Sequence, residues 1–171
     1  MNTTELVNIL RTDQHTRVLN PAVKPLNHFL EEPLNRPSMT IVNLDSCDEP
    51  GSHWVAVYVL LCGDTEYFDS YGDKPNGLFF LKFQELNTKI VHVYSNSSFQ
   101  GISTVCGQCC LIFLLLRSRN YLLDEIISSL LLCESLTERD MIVNDRINDF
   151  FKNVLKRKLE VVDEKFITNI I

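Results

Sequence analysis

The segment HWVAVYVLL, residues 53–61, constrains the fold most because apolar residues occupy both of its alternating faces. It combines β-branched, aromatic and aliphatic side chains, which is typical of a strand covered on both sides. We therefore expect a central strand with packing layers above and below it. His53 opens this strand after the loop sequence DEPGS, so its side chain is expected at the edge of a cleft.

Shorter patterns extend the sheet and place helices mainly towards the C-terminal end of the chain. Residues 12–38 contain four prolines and are expected to be an irregular connector with at most one helical turn. Thr137 and Asp140 resemble a capping box at the start of the last helix. The prediction is one α+β domain over residues 1–171, with a small central mixed or antiparallel sheet packed against helices. The other expected strands are 39–45, 65–71 and 89–95, and the expected helices are 3–11, 77–86, 109–117, 121–133 and 137–158.

Charge and cysteine content limit the classes of partner. The net charge of −6 argues against nucleic-acid binding, and the basic cluster at residues 152–158 is interpreted as a solvated helix face. The longest apolar run, residues 109–116, is too short for a bilayer, so no membrane span is expected. Six cysteines without a secretory signal predict an intracellular setting. Cys62 and Cys133 lie in apolar segments and are expected to behave as small hydrophobic residues.

The sequence CGQCC, residues 106–110, allows three chemical interpretations. Cys106 and Cys109 form a CxxC pair, as in thioredoxin-like redox sites, although a polar loop rather than a core strand precedes it. A zinc site needs about four ligands, and the sequence has no second CxxC or HxxxH pair. The third interpretation makes Cys106 a nucleophile at a helix start, where the dipole and N–H groups lower the pKa of a thiol. Cys109 and Cys110 would then be buried thiols, and taken alone Cys106 also fits a plain buried cysteine.

A cysteine nucleophile needs a base, a group that orients the base, and an oxyanion donor. His53 is the candidate base. Asp69, in YFDSYG, lies among apolar residues near the end of a strand, where a carboxylate is costly unless it is paired. Gln100 lies six residues before Cys106, and its amide could donate to an oxyanion.

The proposed pairing of His53 with Asp69 sets a condition on the hairpin between them. Side chains alternate between the faces of a sheet, so two odd-numbered residues share a face only if the connection has an odd length or contains a bulge. We therefore predict a three-residue loop or a bulge near residues 62–65. A tight two-residue turn would oppose Asp69 to Tyr58 and count against the pair.

In this order, the segments GSHWVAVYV, YFDSYG, SSFQG and CGQCCLIFL resemble the adenovirus endopeptidase family, and more broadly the ubiquitin-like-protein protease superfamily of cysteine proteases. Members also occur in virus-like transposons called Mavericks or Polintons. The resemblance covers about residues 39–117, whereas residues 1–38 match poorly. It implies a cysteine protease fold related to that of papain, of the adenovirus-protease type, and a site without metal.

The resemblance also implies residue roles: Cys106 as the nucleophile, His53 as the general base, Asp69 as the acid that orients the histidine, and Gln100 as the oxyanion donor. The adenovirus enzyme has Glu at the position of Asp69, while other superfamily members use Asp.

The implied substrate is a capsid or virion precursor protein with glycine near the scissile bond, cleaved in the host nucleus or the virion. Trp54 and Gly107 would contact it. Two alternatives are a protease that removes ubiquitin-like modifiers and an inactive binding module with the same fold. The adenovirus enzyme is activated by a disulfide-linked peptide and by DNA. Here Lys89 stands at the linking position and the net charge is acidic, so the sequence supports no cofactor and no activator of either kind.

Overall fold

A computed structural model of the chain describes residues 1–85, 91–94, 98, 100, 104–122, 125 and 135–149, with only the backbone at residues 91–94. Within these residues it has five strands and four bounded helices. They are α1 (Thr3–Thr12), β1 (Pro21–Pro25), α2 (Leu26–Glu31), β2 (Ser38–Asn43), β3 (Trp54–Val59), β4 (Thr65–Asp69), α3 (Gly77–Gln84), β5 (Val91–Tyr94) and α4 (Cys106–Arg117). Residues 136–149 are also helical.

The strands form one mixed sheet in the order β1-β2-β3-β4-β5. The β2–β3 and β3–β4 pairs are antiparallel, whereas β1–β2 and β4–β5 are parallel. The strand expected to be central, β3, is the middle one. This arrangement confirms the α+β prediction of a small mixed sheet packed against helices.

Both faces of β3 are buried, as its sequence predicts. Val55 and Val57 belong to an apolar cluster that includes aromatic side chains of α2 and α3. Ala56 belongs to a second cluster on the other face, with residues of α1 and α4. Helix α4 lies within this second layer and nine of its twelve residues are buried. Its N-terminal residue, Cys106, is therefore delivered to the sheet by a helix that is itself part of the core.

The β3–β4 hairpin has the odd connection that the sequence argument requires. The N–H of Leu60 donates to the carbonyl of Asp64 at 2.8 Å, which leaves three residues, 61–63, in the loop. Gly63 has φ +98°, a conformation that glycine adopts without steric cost. The resulting register pairs Val55 with Asp69, so the prediction of a three-residue loop is confirmed.

The prediction of an irregular connector at residues 12–38 is wrong, because this segment contains β1 and α2. Pro21 and Pro25 are the first and last residues of β1, which lies at the edge of the sheet and pairs only with β2 among the described strands. An edge strand needs N–H donors on one side only, so proline is tolerated there. Strand β1 runs parallel to β2 from the Pro21–Met39 pair to the Pro25–Asn43 pair.

Two smaller expectations are also corrected. The last described helix is capped by Ser135, whose hydroxyl accepts a hydrogen bond from the N–H of Glu138, and not by Thr137. Cys62 is exposed in the hairpin loop, since that loop interrupts the apolar run in which the residue lies.

Cys133 and most of the predicted segments 95–104 and 121–133 lie outside the described residues, as do residues 150–158. No helix within the described ranges combines the length and the apolarity that a bilayer crossing requires.

A buried ion pair joins the far end of α4 to the sheet. Glu66 on β4 accepts two hydrogen bonds from the Arg117 guanidinium, each 2.7 Å long. The side chains of Arg117 and Glu66 are only 11% and 7% exposed. The same guanidinium lies 5.7 Å from the ring centre of Tyr58 on β3. The pair thereby fixes the C-terminal end of the helix whose N-terminal end carries Cys106.

We expect Glu66→Gln to lower the free energy of unfolding by about 3 kcal/mol, because it leaves the Arg117 charge buried without its counterion. Urea unfolding followed by circular dichroism measures this. The matched control is Glu32→Gln, which removes a carboxylate from the exposed pair with Lys24 and is expected to cause no measurable change. Equal stability of the two variants would contradict a stabilising role for the buried pair.

Candidate active site

Cys106 is the first residue of α4 and follows the N-cap residue Val105. Its side chain is 8% exposed. The next residue, Gly107, lies close to other parts of the core: a Cβ atom built there would lie 3.4 Å from Leu6 and 3.6 Å from Trp54. The start of α4 is therefore packed directly against the beginning of β3, where His53 and Trp54 lie.

The structure brings His53 and Asp69 together. Nε2 of His53 lies 2.8 Å from Oδ1 of Asp69, and the carboxyl side chain is almost fully buried. The same oxygen accepts the backbone N–H of Tyr71 at 2.8 Å. The ring of Tyr71 stacks on the imidazole with a centroid distance of 4.6 Å. The histidine is thus held by a hydrogen bond at one edge and by an aromatic ring on one face.

The bond to Asp69 determines which nitrogen of His53 is left for chemistry. With Nε2 directed at the carboxylate, Nδ1 is the nitrogen available to the thiol of Cys106. Nδ1 is buried and makes no hydrogen bond of ordinary geometry within the described residues. Such contacts between a base and a nucleophile are commonly long before substrate binds.

The two groups stabilise each other's charged forms. Burial alone would raise the pKa of the Cys106 thiol, but His53 and the backbone N–H groups of Trp54 and Gly107 outweigh burial and hold this pKa below its usual value. Burial alone would lower the pKa of His53, but Asp69 and Cys106 outweigh it and raise the pKa to about 9. Both shifts favour the charged forms, a thiolate at Cys106 and an imidazolium at His53.

The two cysteines that follow have the opposite character. Burial raises the pKa of the Cys109 thiol well above its usual range, and it does the same for Cys110. The Sγ atom of Cys110 donates to the carbonyl oxygen of Trp54 at 3.3 Å. All three residues are free thiols. Within the described residues, no three His, Cys, Asp or Glu side chains are grouped so that they could hold a metal ion.

Gln100 is buried and bonded to the residues that follow Asp69. Its Oε1 accepts the hydroxyl of Ser70 at 2.7 Å, and its Nε2 donates to the hydroxyl of Tyr71 at 3.3 Å. Its backbone N–H also donates to the carbonyl of Ser70 at 3.0 Å. The ring of Tyr71 stacks on the imidazole, so the tyrosine that binds the Gln100 amide also lies beside the candidate base, His53.

Trp54 lies between the start of α4 and an open cavity of about 540 Å³. The N-terminus of α1, the start of α2 and the loop after β2 form the rest of the cavity wall. Trp54 is half-buried and packs on the core cluster of α4 while it borders this space. Trp54 thus borders an open space, while its contact with a substrate stays a prediction.

Sequence reasoning missed Ser70 and Tyr71, although both belong to the segment YFDSYG that suggested Asp69. The register of β3 and β4 could have indicated Tyr71. Val55 pairs with Asp69. Two residues further along, on the same face, the same register places His53 opposite Tyr71. Ser70 gave no such signal, because its partner Gln100 is thirty residues away along the chain.

Comparisons with known proteins place similar sequences among viral cysteine proteases. No protein-family model matches the chain. The chain is 31% identical over 125 residues to a putative thiol protease, R355, of Acanthamoeba polyphaga mimivirus, over 67% of this chain and 38% of that protein. It is 27% identical over 107 residues to the cysteine protease S273R of a Malawi tick isolate of African swine fever virus, over 56% of this chain and 39% of that protein. A third relative, from a Kenyan pig isolate of African swine fever virus, is named SUMO-1 cysteine protease S273R. The chain is 26% identical to it over 140 residues, which cover 75% of this chain and 48% of that protein.

The chain therefore spans less than half the length of the curated relatives it matches. These relatives are named cysteine or thiol proteases, which agrees with the resemblance at the level of the ubiquitin-like-protein protease superfamily. The narrower likeness to the adenovirus endopeptidase stays a prediction.

Two solved structures share the fold. The African swine fever virus pS273R protease aligns with a TM-score of 0.56 and 17% identity, over 81% of this chain and 63% of that one. The Chlamydia trachomatis effector Cdu1, solved bound to ubiquitin, aligns with a TM-score of 0.53 and 16% identity, over 90% of this chain and 79% of that one. The chain thus has the fold of these proteins, as the sequence predicted.

We expect iodoacetamide to modify Cys106 at a pH where an ordinary thiol is still protonated, because His53 favours the thiolate. His53→Ala should shift this pH profile upwards. Mass spectrometry of the labelled peptides measures the rate at each cysteine separately, and the exposed residues Cys47 and Cys62 provide the reference profile in the same molecule. A Cys106 profile that coincides with theirs would contradict an activated nucleophile.

Proposed function

We propose that the chain is a cysteine endopeptidase with Cys106 as nucleophile, His53 as general base and acid, and Asp69 as the group that orients His53. The observation that carries the proposal is the 2.8 Å bond between His53 and Asp69 beside a thiol whose pKa is lowered. A satisfied structural histidine would account for the bond alone, but not for a thiolate-favouring cysteine at a helix start next to it.

The proposed reaction starts from a thiolate at Cys106 and an imidazolium at His53, the two charged forms that the pKa shifts favour. The Cys106 thiolate attacks the scissile carbonyl carbon, and the carbonyl electron pair moves to the oxygen, which becomes an oxyanion. His53 then gives its Nδ1 proton to the leaving amine as the C–N bond breaks, and a thioester remains on the sulfur. Water, deprotonated by the now neutral His53, hydrolyses the thioester and regenerates the thiolate. Asp69 stays bonded to Nε2 throughout and stabilises the imidazolium.

We propose precursor proteins of a virus or virus-like element as substrates, with glycine near the scissile bond. The viral origin of the relatives named as proteases supports this choice. A second candidate is the removal of a ubiquitin-like modifier. It is supported by the name SUMO-1 cysteine protease for one relative and by the ubiquitin bound to Cdu1.

A substrate panel separates these candidates. It contains glycine-containing peptides from viral precursor proteins, together with SUMO and ubiquitin fused through their C-termini to a reporter. Preferential cleavage of the peptides supports precursor processing, whereas preferential cleavage of the fusions supports deconjugation. Failure to cleave any substrate, with alkylation of Cys106 still selective, would favour a binding module with an intact site.

We expect Cys106→Ser to abolish cleavage of the best substrate, since a serine hydroxyl is not ionised by the same surroundings. Cys109→Ser should retain turnover and lower the melting temperature, because it places a hydroxyl in an apolar position. Initial rates and thermal unfolding are measured on both variants. If Cys109→Ser were inactive while its melting temperature was unchanged, the redox interpretation of the CxxC pair would replace the protease mechanism.

We expect kcat/KM to fall above about pH 9, because His53 loses the proton that the leaving amine needs. Asp69→Asn should reduce the rate and move this alkaline limb to lower pH, since removal of an anion destabilises the imidazolium and lowers its pKa. Rates between pH 5 and about pH 11 test this, with circular dichroism at each pH to show that the fold persists. An alkaline limb that stayed in place in Asp69→Asn would assign it to another group.

A further inference from the structure

The hydroxyl of Ser70 is buried and directed at one atom of the candidate site. Ser70 is 0% exposed and its Oγ donates to Oε1 of Gln100 at 2.7 Å. The two residues are joined a second time by the backbone, through the 3.0 Å bond from the Gln100 N–H to the Ser70 carbonyl. Ser70 is also the residue that directly follows Asp69, so it is held by the end of β4.

The bonds of the Gln100 amide to Ser70 and Tyr71 indicate its orientation. A hydroxyl both donates and accepts, so Ser70 and Tyr71 could in principle bind either end of the amide. The lengths distinguish the two orientations. An O–H···O bond is normally about 2.7–2.8 Å long, which fits Oε1 at Ser70, whereas N–H···O bonds are longer, which fits Nε2 at Tyr71.

The orientation decides whether Gln100 can assist the proposed reaction. With Oε1 bound by Ser70, the amide nitrogen lies on the side of Tyr71, whose ring stacks on His53, and from there we infer that it can donate to an oxyanion. If the amide turned over, its carbonyl oxygen would face the developing negative charge and repel it. The bond from Nε2 to Tyr71 is long at 3.3 Å, so its exchange for a charged oxyanion costs little.

We propose that Ser70 is a positioning residue that fixes the Gln100 amide with its nitrogen towards the oxyanion. This inference rests on the proposed protease function and adds to it a residue outside the set of His53, Asp69, Gln100 and Cys106. Ser70 acts only through Gln100 and touches neither the nucleophile nor the base in the described hydrogen bonds.

The first test is Ser70→Ala, measured with the best substrate from the panel. Loss of one oxyanion donor typically costs about 10²–10³ in kcat, and a donor that is present but misoriented part of the time costs less, so we expect a fall of about 10- to 100-fold. KM should change little, because the donor acts on the transition state. Addition of Ser70→Ala to Gln100→Ala should cause no further loss, since the residue to be positioned is then absent.

Alkylation distinguishes positioning of Gln100 from a general structural role. Reaction of Cys106 with iodoacetamide forms no oxyanion, so its rate and pH profile should be the same in Ser70→Ala and in the unaltered protein. A variant with a disturbed fold would lose both alkylation and turnover. The matched control is Ser38→Ala, which removes a buried hydroxyl that has no hydrogen-bond partner within the described residues and lies on β2, away from Gln100.

A third measurement works without turnover. A short peptide aldehyde ending in glycinal adds to Cys106 as a thiohemiacetal, and its affinity is read from the protection of Cys106 against iodoacetamide. We expect Ser70→Ala to weaken this protection by about the same factor as Gln100→Ala. Recovery in Ser70→Thr, which restores the hydroxyl, would add support.

The outcomes separate the inference from the function on which it rests. Absence of turnover in the unaltered protein contradicts the proposed function, while the aldehyde measurement still tests Ser70. The inference is overturned if Ser70→Ala retains full kcat and full aldehyde affinity. It is also overturned if the effect of Ser70→Ala persists in Gln100→Ala, or if alkylation slows as much as turnover.

Discussion

Leu60 and Asp64 close the β3–β4 hairpin across three residues, and this odd number determines where the polar groups of the site lie. It pairs Val55 with Asp69, and the same alternation brings His53 beside the ring of Tyr71. A connection shorter or longer by one residue would turn the carboxyl group to the opposite face of the sheet. The hydrogen bond between His53 and Asp69 thus depends on a loop that lies at the other end of the two strands.

Two thiols three residues apart on one helix differ in chemistry because their surroundings differ. Cys106 lies in the first turn of α4, where backbone N–H groups have no partner within the helix and an imidazole is adjacent. Cys109 lies one turn further into the core, where burial is the largest influence and no cation offsets it. Burial raises the pKa of both thiols. At Cys106, His53 and the backbone N–H groups lower the pKa by more than burial raises it.

Strong local patterns allowed much of the fold and the candidate catalytic residues to be proposed from the sequence. The apolar pattern of residues 53–61 indicated the central strand, and the expected pairing of His53 with Asp69 required a three-residue loop or a bulge in the hairpin. Strand β1 was missed because prolines argue against a strand, and only its position at the sheet edge, a property of the whole fold, makes them acceptable. Ser70 was missed because a serine beside an aspartate has no distinctive pattern until the loop carrying Gln100 is packed against it.

The polar site divides between two parts of the fold. Strands β3 and β4 supply His53 and Asp69, and through Ser70 and Tyr71 they also hold the side chain of Gln100. Helix α4 supplies only Cys106, the proposed nucleophile. The distance between Cys106 and His53 therefore depends on how closely α4 packs on β3, and so on the volume of the side chains between them.

The small residues of CGQCC allow the start of α4 to pack closely on β3. Gly107 has no side chain between α4 and Trp54, and Cys110 is small enough for its sulfur to reach the carbonyl of Trp54. Larger apolar residues at these two positions would push the helix start away from β3 and move the Cys106 sulfur away from His53. Under the proposed mechanism, Cys109 and Cys110 need no redox or metal role, because both are buried in the core as small hydrophobic residues.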